Sequence, residues 1–538
     1  MMQQRPGNRA HIVCVQCHAR KVKCDLQDRP DSCCANCRRS NQQCVRRHGV
    51  RARRKPPHAI GTTHVPHSPS PTVDAAYQDL GIPHAPQYLS RAKEAILRAT
   101  QAAELPRPAL LAALIDDYFN NVFSATPVVD PQDVAGPNAS VLLLQAVCLS
   151  GSLVRQDRDG PTASFIFYEK VKTLLYLNYE TDVIVNLKAM CLLSCWSSVP
   201  TNVVTLDGPW QWLGSAIRLA LQIGLHRRST YEGHPQASCL RRIFWFLANA
   251  ERMMVACWGR LGSLRVECCD VQALTADDFP HKAIYATTFT RVIPVIEIVG
   301  RIAEMTIQKQ VVSGEQTLHF IDRLCEWIHD LPDEVRLFDR DETRQPFNRH
   351  ISELHIYYFV AIILTQMVGK QARQYWKPPL ISVIAASALA RIYEEIFYRE
   401  QTQYLPSIHG FLSLVAAIPL IYFKSDSAQA EAERAEELEM IISVINSMKY
   451  KFGGCRLVYT KIQGLKQEVK AQAMALVDGA ATAAESFDEL DFAAIDGGDA
   501  SAAFNTFFSV MDTLGMDMTA EDMGNGEAFN SIFNLEMG

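Results

Sequence analysis

The sequence predicts a mostly α-helical protein with a small cysteine-rich module at its amino end, a large all-α domain, and a disordered linker and C-terminal tail. Three observations predict this class. Apolar residues recur at intervals of three and four through most of residues 88–478. Seven of the 16 cysteines lie between residues 14 and 44. Residues 1–55 hold 14 Lys and Arg against 3 Asp, whereas residues 485–538 hold 12 Asp and Glu and no Lys or Arg. A basic head and an acidic tail indicate different partners for the two ends.

The N-terminus, residues 1–13, is expected to be disordered, and the cysteines of the segment that follows are regularly spaced. They read Cys14-x2-Cys17-x6-Cys24-x9-Cys34-x2-Cys37-x6-Cys44, with Cys33 as an extra thiol. A disulfide-rich module is the alternative, but it requires secretion, and "MMQQRPGNRAHIV" lacks the apolar stretch of a signal peptide. Two four-coordinate zinc ions need eight bonds, and six sulfurs supply eight if two of them bridge. The spacing therefore predicts a small cysteine module that holds two Zn²⁺ ions.

This segment closely resembles the DNA-binding domain of fungal zinc binuclear cluster transcription factors. The likeness covers residues 14–44 and includes "HARKVKC" after the second cysteine and Pro30 in the following loop. It implies that Cys14 and Cys34 bridge the metals. Taking Cys33 as the ligand would break the C-x2-C spacing with Cys37, although whether Cys33 substitutes for Cys34 is left open. The implied ligands are Cys14, Cys17, Cys24, Cys34, Cys37 and Cys44.

Basic side chains lie inside the first metal loop. Residues 18–23 stand between two metal ligands, so we expect the metals to fix a helix too short to be stable alone. The cations that we expect to project from it are His18, Arg20, Lys21 and Lys23. Lysine and arginine can donate to the O6 and N7 acceptors of guanine or neutralise phosphates.

The resemblance assigns roles to these cations. It implies that Lys21 reads a CGG-type triplet and that Arg20 and Lys23 contact the DNA backbone, while His18 stands where the family commonly has arginine. Arg38 and Arg39 follow Cys37 in the second half and are weaker candidates for phosphate contact. The alternative is that all of them are solvated surface charges.

Residues 45–87 form a basic and then Pro/Ser-rich linker. A nuclear localisation signal, or further phosphate contact, is predicted from its basic run, which comprises Arg46, Arg47, Arg51, Arg53, Arg54 and Lys55. Prolines then exclude regular structure. Because no leucine heptad is present, monomeric binding and a homodimer formed through the larger domain are both open.

The large domain, residues 88–478, is expected to be all-α. "ALLAALIDDYFNNVF" (109–123) predicts one broad amphipathic face that includes Leu110, and Trp210, Leu213 and Ile217 are spaced to bury one face of a later helix. Residues 207–279, with "DGPWQWLGSAIRLALQIGLHR", "LRRIFWFLANAERMM" and "CCDVQALTADDF", resemble the middle homology region of the same fungal regulators, most nearly the cutinase transcription factor type. We therefore expect a fungal transcription factor regulatory domain.

Catalysis in this domain is the weaker interpretation. One imagined nucleophile or metal set comprises Cys191, Cys195, His226, Cys239, Cys268, Cys269 and Asp270. Its spacing matches no recognised ligand or triad pattern, and no phosphate loop or GxSxG elbow appears. Core thiols and a capping histidine explain these residues better, so no catalytic residue is predicted. Binding of a small molecule between the helices is the stronger alternative role.

The tail, residues 479–538, is acidic and rich in Phe and Met. Such composition is typical of disordered activation segments, in which carboxylates keep phenylalanines such as Phe504, Phe507 and Phe508 accessible to a partner's groove. The alternative is a final helix docked on the domain. Coactivators are the expected partners of the tail, and double-stranded DNA with CGG-type triplets is the expected partner of the head.

These features together predict a nuclear, sequence-specific regulator of RNA polymerase II genes. The interpretation that we favour is a pathway-specific activator of a fungal secondary-metabolite gene cluster. The alternatives are a regulator of lipid or polymer catabolism, a repressor, or, in a different class, a ligand-binding or enzymatic helical protein with a purely structural zinc module. No membrane partner is expected, since "IYYFVAIILTQMVG" and "GFLSLVAAIPLIYF" are short for a membrane span.

Overall fold

The structure is a computed structural model that describes residues 13–26, 33–45, 87–155, 160–199, 203–280, 282–310, 312–339, 343–368, 378–424 and 427–478. These residues belong to two compact units, Met1–Ala76 and Tyr77–Gly538, and each unit is described by itself. The described residues are mostly helical and contain no β-strand. The predicted mostly α-helical class is therefore confirmed.

The first unit contains two short helices, α1 (Val15–Ala19) and α2 (Ala35–Arg39). Each has only five residues, which is too short for stability by backbone hydrogen bonding alone. Their inward side chains are the thiols of Cys17 and Cys37, both 2 % exposed. The core of this unit thus consists of cysteines and Leu26 instead of an aliphatic cluster.

The second unit is a stack of fifteen described α-helices. They are α3 (Gln87–Thr100), α4 (Pro108–Asp117), α5 (Pro131–Val134), α6 (Val141–Ser152), α7 (Gly160–Tyr176), α8 (Val183–Leu193), α9 (Pro209–Gln222), α10 (Ala237–Trp258), α11 (Ala283–Ile307), α12 (Gly314–His329), α13 (Arg349–Met367), α14 (Leu380–Tyr398), α15 (His409–Tyr422), α16 (Ala428–Met448) and α17 (Gly453–Asp478). A π-helical turn, Tyr118–Val122, extends α4.

Helices adjacent in sequence are mostly adjacent in space. In the amino-terminal half α6 packs on α7 and α8, and α8 packs on α9. In the carboxyl-terminal half α13 packs on α14, and α15, α16 and α17 pack on one another. Helices α10 and α11 pack together, and α11 also packs on α13, so this pair joins the two halves. One continuous hydrophobic core runs through the unit.

Among the described helices, α11 is long and apolar enough to cross a membrane by length and composition. Half of its most apolar stretch is buried within the domain, where α11 packs on α10 and α13. A central core helix of a helical domain has the same composition, and burial against two protein helices is what that role requires.

The predicted helix faces are partly wrong. In α9, Trp212 is 5 % exposed whereas Trp210 lies at the border of the core, because Trp210 stacks near Trp258 and Arg260. In α4, Leu110 is 42 % exposed, although its spacing placed it on the apolar face. Gly224, which follows α9, has a φ of 85°, a left-handed conformation that glycine adopts readily at the end of a helix.

Candidate metal centre and nucleic-acid interface

The two helices of the first unit begin in the same way. Cys14 precedes α1, and its Sγ accepts a hydrogen bond from the backbone N–H of Cys17 at 3.3 Å. Cys34 precedes α2, and its Sγ accepts from the N–H of Cys37 at 3.4 Å. A cysteine therefore serves as the N-cap of each helix, in the place usually taken by an oxygen-bearing side chain.

Each half of the module, residues 14–24 and residues 34–44, contains three of the predicted ligand cysteines. The third of them lies close to the first. The N–H of Cys14 points to Cys24 Sγ at 3.5 Å, and the N–H of Cys34 points to Cys44 Sγ at 3.4 Å. Because the C-x2-C and x6 intervals are equal in both halves, the second half repeats the local structure of the first at an offset of 20 residues.

Two polar side chains join the halves, and sequence reasoning missed both. Asp25 Oδ1 accepts from the N–H of Ala35 at the start of α2, at 2.9 Å. Asn36 Nδ2 donates to the carbonyl of Lys23 at 2.7 Å. An acidic residue directly after Cys24 was the available signal, since carboxylates favour helix N-termini.

The sulfurs form two groups that share two members. Cys14, Cys17, Cys24 and Cys34 make one group, and Cys14, Cys34, Cys37 and Cys44 make the other, with all ligand atoms of a group within 4.8 Å of one another. Cys14 Sγ lies 3.8 Å from Cys34 Sγ and 3.5 Å from Cys37 Sγ. Sulfurs bound at about 2.3 Å around a tetrahedral zinc stand about 3.8 Å apart, so the donor set fits two such ions.

Crowding of the thiols gives a second argument for cations at this site. Burial and neighbouring thiols raise the pKa of Cys17 to about 12. Burial also raises the pKa of Cys34, but hydrogen bonds from Cys37 and the neighbouring thiols lower it to about 6. One thiolate can thus form easily while its neighbours resist ionisation, and a divalent ion between them would remove this mutual repulsion.

Cys33 has a different environment. Its Sγ lies 3.6 Å from the carbonyl oxygen of Cys34, and it belongs to neither four-sulfur group. The adjacent Cys34 is 0 % exposed and belongs to both groups.

The cations of the first half do not share one helical turn, so that prediction is wrong. Helix α1 ends at Ala19, and Arg20 is its C-cap. Lys21 follows with a φ of 52°, in the left-handed region, and Lys23 lies in a segment without regular secondary structure. All of these side chains and that of His18 are exposed, and Arg20, Lys21 and Lys23 form no ion pair within the described part of the chain.

The second half repeats the backbone but not the charge. Asn41, the counterpart of Lys21, has a φ of 49°. Arg38 and Arg39 are exposed in the last turn of α2, and Arg38 Nη2 donates to the carbonyl of Cys33 at 3.4 Å. Between α2 and residue 45 the exposed side chains are those of Ser40, Asn41, Gln42, Gln43 and Val45, so the described part of the second half has no cation after its helix, whereas the first half has three.

Two predicted segments lie outside the described residues. The basic run comprises Arg46, Arg47, Arg51, Arg53, Arg54 and Lys55, and the acidic tail comprises residues 479–538. Both remain predictions from sequence.

Three thiols of the imagined catalytic set, Cys191, Cys195 and Cys239, lie in or against the core of the helical domain. Cys195 Sγ lies 3.5 Å from Thr126 Oγ1, and Cys239 Sγ donates to the carbonyl of Val128 at 3.4 Å. Burial raises the pKa of Cys195 and raises that of Cys239 to about 12. Such thiols are protonated at neutral pH and are poor nucleophiles.

The remaining members of the set surround the end of α9. Asp270 Oδ1 accepts from the N–H of Arg228 at 2.8 Å, and the N–H of Asp270 donates to the carbonyl of His226. Arg227 Nε donates to His226 Nε2 at 3.0 Å. Cys268 is exposed, contrary to the expected burial of the scattered thiols. These hydrogen bonds stabilise the loop after α9. None of them joins a cysteine thiol to the His226 imidazole.

Buried charges join separate segments of the helical domain, which the sequence analysis missed. Arg242 is 1 % exposed and donates to the carbonyl of Pro127 at 2.8 Å, to the carbonyl of Asp278 and to the carboxylate of Asp130. Lys188, also 1 % exposed, donates to Asp133 at 2.7 Å. Removing one member of such a buried pair leaves an uncompensated charge. These pairs therefore hold the segments that they join in one relative position. The signal was an arginine within the apolar run "RIFWFLANA".

Two protein families match the chain. The fungal Zn(2)-Cys(6) binuclear cluster domain matches residues 12–53. The fungal specific transcription factor domain matches residues 114–435, which is more than half of the chain. No solved structure matches.

Curated relatives are similar at low identity. The acetamidase regulatory protein of Aspergillus fumigatus is 27 % identical over 329 residues, which cover 56 % of this chain and 41 % of the relative. Cutinase transcription factor 1 alpha of Fusarium vanettenii is 24 % identical over 412 residues, which cover 69 % of this chain and 44 % of the relative. The chain thus spans less than half of the length of these relatives.

Proposed function

The chain belongs to the fungal specific transcription factors with a Zn(2)-Cys(6) binuclear cluster, a family that holds two zinc ions and binds DNA. On this premise we propose that the protein is a nuclear, sequence-specific regulator of RNA polymerase II genes. The observation that carries the proposal is the pair of four-sulfur groups sharing Cys14 and Cys34, beside exposed cations.

The six cysteines Cys14, Cys17, Cys24, Cys34, Cys37 and Cys44 hold the metals, and Cys14 and Cys34 each serve both ions. Bound zinc supplies structure here and not catalysis, because sulfur ligands fill all coordination positions. The cysteines fix the ends of α1 and α2, which are too short to persist alone.

Lys21 is the base-reading residue of this proposal. Its ammonium donates to guanine O6 and N7 of a CGG-type triplet in the major groove. Arg20 and Lys23 neutralise phosphates on either side, with His18, Arg38 and Arg39 as further backbone contacts. The exposure of these side chains and the absence of ion-pair partners for Arg20, Lys21 and Lys23 within the described residues support these roles.

The remaining segments have separate tasks. Residues 45–87 link the domains and carry the nuclear localisation signal at Arg46–Lys55, residues 88–478 form a regulatory domain without catalytic activity, and residues 479–538 recruit coactivators. The favoured target is a secondary-metabolite gene cluster. A regulator of catabolism is the second candidate, favoured by relatives that are named for acetamidase and cutinase regulation.

An electrophoretic mobility shift with the full chain tests DNA recognition. We expect the chain to form a complex with a CGG-containing duplex. A scrambled duplex should compete poorly for the protein, and a zinc chelator should disrupt the complex. Two results would contradict the proposal: no binding to either duplex, or equal binding to both duplexes with and without the chelator. Either result would indicate that the zinc module has a purely structural role.

A fusion of residues 485–538 to an unrelated DNA-binding domain tests the activator role. We expect reporter activation that is lost when Phe504, Phe507 and Phe508 are all replaced by alanine. A fusion that represses or stays silent would contradict it. Transcript profiling after deletion of the gene then separates a metabolite cluster from catabolic genes.

A further inference from the structure

The helical domain contains a central cavity of about 260 Å³ at the meeting point of its two halves. Its wall includes Asn249, Met253, Val292, Leu354, Phe411 and Lys451. The wall is shared by the middle of α10 and the ends of several other helices, and the N–H of Gly453 donates to the carbonyl of Ser197 at 3.0 Å across this junction.

Most of the wall is apolar. Met253 and Met254 on α10 line the cavity together with Val292 and Ile296 on α11 and Leu354 on α13. Methionine side chains adapt to irregular occupants. A dry apolar cavity of about 150 Å³ accepts benzene, so the central cavity has room for about ten non-hydrogen atoms.

Several polar groups interrupt the apolar wall, and two of them, Asn249 and Lys451, lack a hydrogen-bond partner or a counter-ion, respectively, among the described residues. Asn249 is 6 % exposed, and neither its amide nitrogen nor its amide oxygen has a hydrogen-bond partner. Buried amides are almost always hydrogen-bonded in folded proteins, so an unpartnered one on a cavity wall indicates an occupant.

Lys451 is the second polar group. Its Nζ donates to the backbone carbonyl of Gln403 at 2.8 Å, and among the described residues no carboxylate lies within ion-pair distance of it. Burial lowers the pKa of Lys451 to about 7, as expected for an ammonium whose charge lacks a counter-ion.

The other charged group on the wall is already paired. Glu353 accepts a hydrogen bond from Arg349, and His409 Nε2 lies 3.7 Å from its other oxygen. Burial lowers the pKa of His350 to about 4, so its imidazole is neutral at pH 7. The titratable group on the wall that lacks a charged partner among the described residues is therefore Lys451, and an anion beside it would favour its ammonium form.

We propose that the central cavity binds a small organic acid with an apolar body, whose carboxylate pairs with Lys451. The volume of the central cavity limits the acid to about ten non-hydrogen atoms. This ligand supplies the anion that Lys451 lacks and buries its chain against the methionine-lined wall. The proposal does not depend on which genes the protein regulates.

Octanoate is the probe, and octanamide is its uncharged control of equal size. Isothermal titration of the full, zinc-loaded chain without DNA should give at least about tenfold tighter binding of octanoate, which is the size of one moderate ion-pair contribution. Equal affinity for the two compounds, or no binding of octanoate, would overturn the proposal without bearing on DNA recognition.

Variants of Lys451 then test whether this side chain binds the carboxylate of octanoate. Lys451→Met should abolish the preference for octanoate over octanamide, whereas Lys451→Arg should retain it. Lys449→Met is the matched control, because the Lys449 ammonium lies 4.3 Å from the ring centre of Tyr459 and outside the cavity wall. A folded Lys451→Met variant that keeps the preference would show that another group holds the carboxylate, against the proposal.

Discussion

At the scale of single residues, Cys33 and Cys34 are chemically identical neighbours with different positions. Cys34 belongs to both four-sulfur groups, while the Cys33 thiol faces a backbone carbonyl. The reason is the repeated N-cap geometry, which requires the thiol three residues before Cys37.

Replacement of these two cysteines tests the ligand assignment. Cys33→Ser should leave two zinc ions per chain, because its sulfur lies outside both groups. Cys34→Ser should lose metal and unfold the module, because both groups lose a member. Metal analysis of the purified full chains by mass spectrometry measures this. Loss of zinc from the Cys33→Ser variant would make Cys33 a ligand.

Lys21 and Lys23 differ in the kind of DNA contact expected of them. Lys21→Ala should lose about 1–3 kcal/mol for the CGG duplex and flatten the preference among triplets. Lys23→Ala should weaken all duplexes similarly and reduce the slope of log affinity against log salt by about one. Fluorescence anisotropy at several salt concentrations measures both.

Asn41→Ala is the matched control for Lys21→Ala, since both residues have a positive φ and lie at equivalent places in the two halves. It places alanine at the equivalent positive φ without removing a cation. If Lys21→Ala weakened CGG and scrambled duplexes equally, the base-reading role would be wrong.

At the scale of helices, close packing is decided where backbones touch. A Cβ added at Gly151 in α6 would lie 2.1 Å from the carbonyl oxygen of Leu114 in α4. Helix α6 is buried along nearly its whole length, so neither helix can move apart cheaply. By contrast, nothing lies within 4 Å of a Cβ added at Gly464 in α17.

These two glycines make a matched pair for a stability test. Gly151→Ala should lower the free energy of unfolding by about 1–3 kcal/mol through overpacking. Gly464→Ala should raise it by about 0.5–1 kcal/mol, because alanine loses less backbone entropy in a helix. Urea unfolding followed by circular dichroism at the helical band measures both. Equal effects of the two substitutions would show that the contact between α4 and α6 is not tight.

At the scale of the whole molecule, the core contains imidazoles that resist protonation. His355 in α13 is 2 % exposed, and its Nδ1 lies 2.9 Å from the carbonyl of Ile351. Burial lowers the pKa of His355 from 6.5 to about 4, and it does the same for His350. A histidine that is neutral when folded and protonated when unfolded favours the unfolded state in acid.

The free energy of unfolding should therefore fall as the pH decreases from about 7 toward 4, since the unfolded chain binds protons that the folded chain does not. For His355 the full effect is on the order of 3 kcal/mol. His355→Asn, whose amide can replace the Nδ1 hydrogen bond, should reduce the difference in stability between pH 7 and pH 5. The exposed His319→Asn variant is the control for loss of an imidazole, and an unchanged pH dependence in His355→Asn would contradict the assignment.

Features that depend on short intervals along the chain could be predicted from the amino-acid sequence. The cysteine spacing predicted the metal module because each C-x2-C pair and its x6 partner lie within eleven residues, so local geometry decides chelation. The 3.6-residue period likewise predicted the helical class. Even here the end of α1 before Lys21 depended on backbone conformation that spacing does not specify.

Features that depend on contacts between distant segments could not be predicted from the sequence and are visible only in the folded domain. The burial of Arg242 against Asp130, the exposure of Leu110 and the convergence of helix ends around Lys451 join segments that are far apart in sequence. Amphipathic periodicity says that a face is buried, but it does not say which neighbour covers that face. The neighbours are chosen by packing of all the helices together, which no single segment contains.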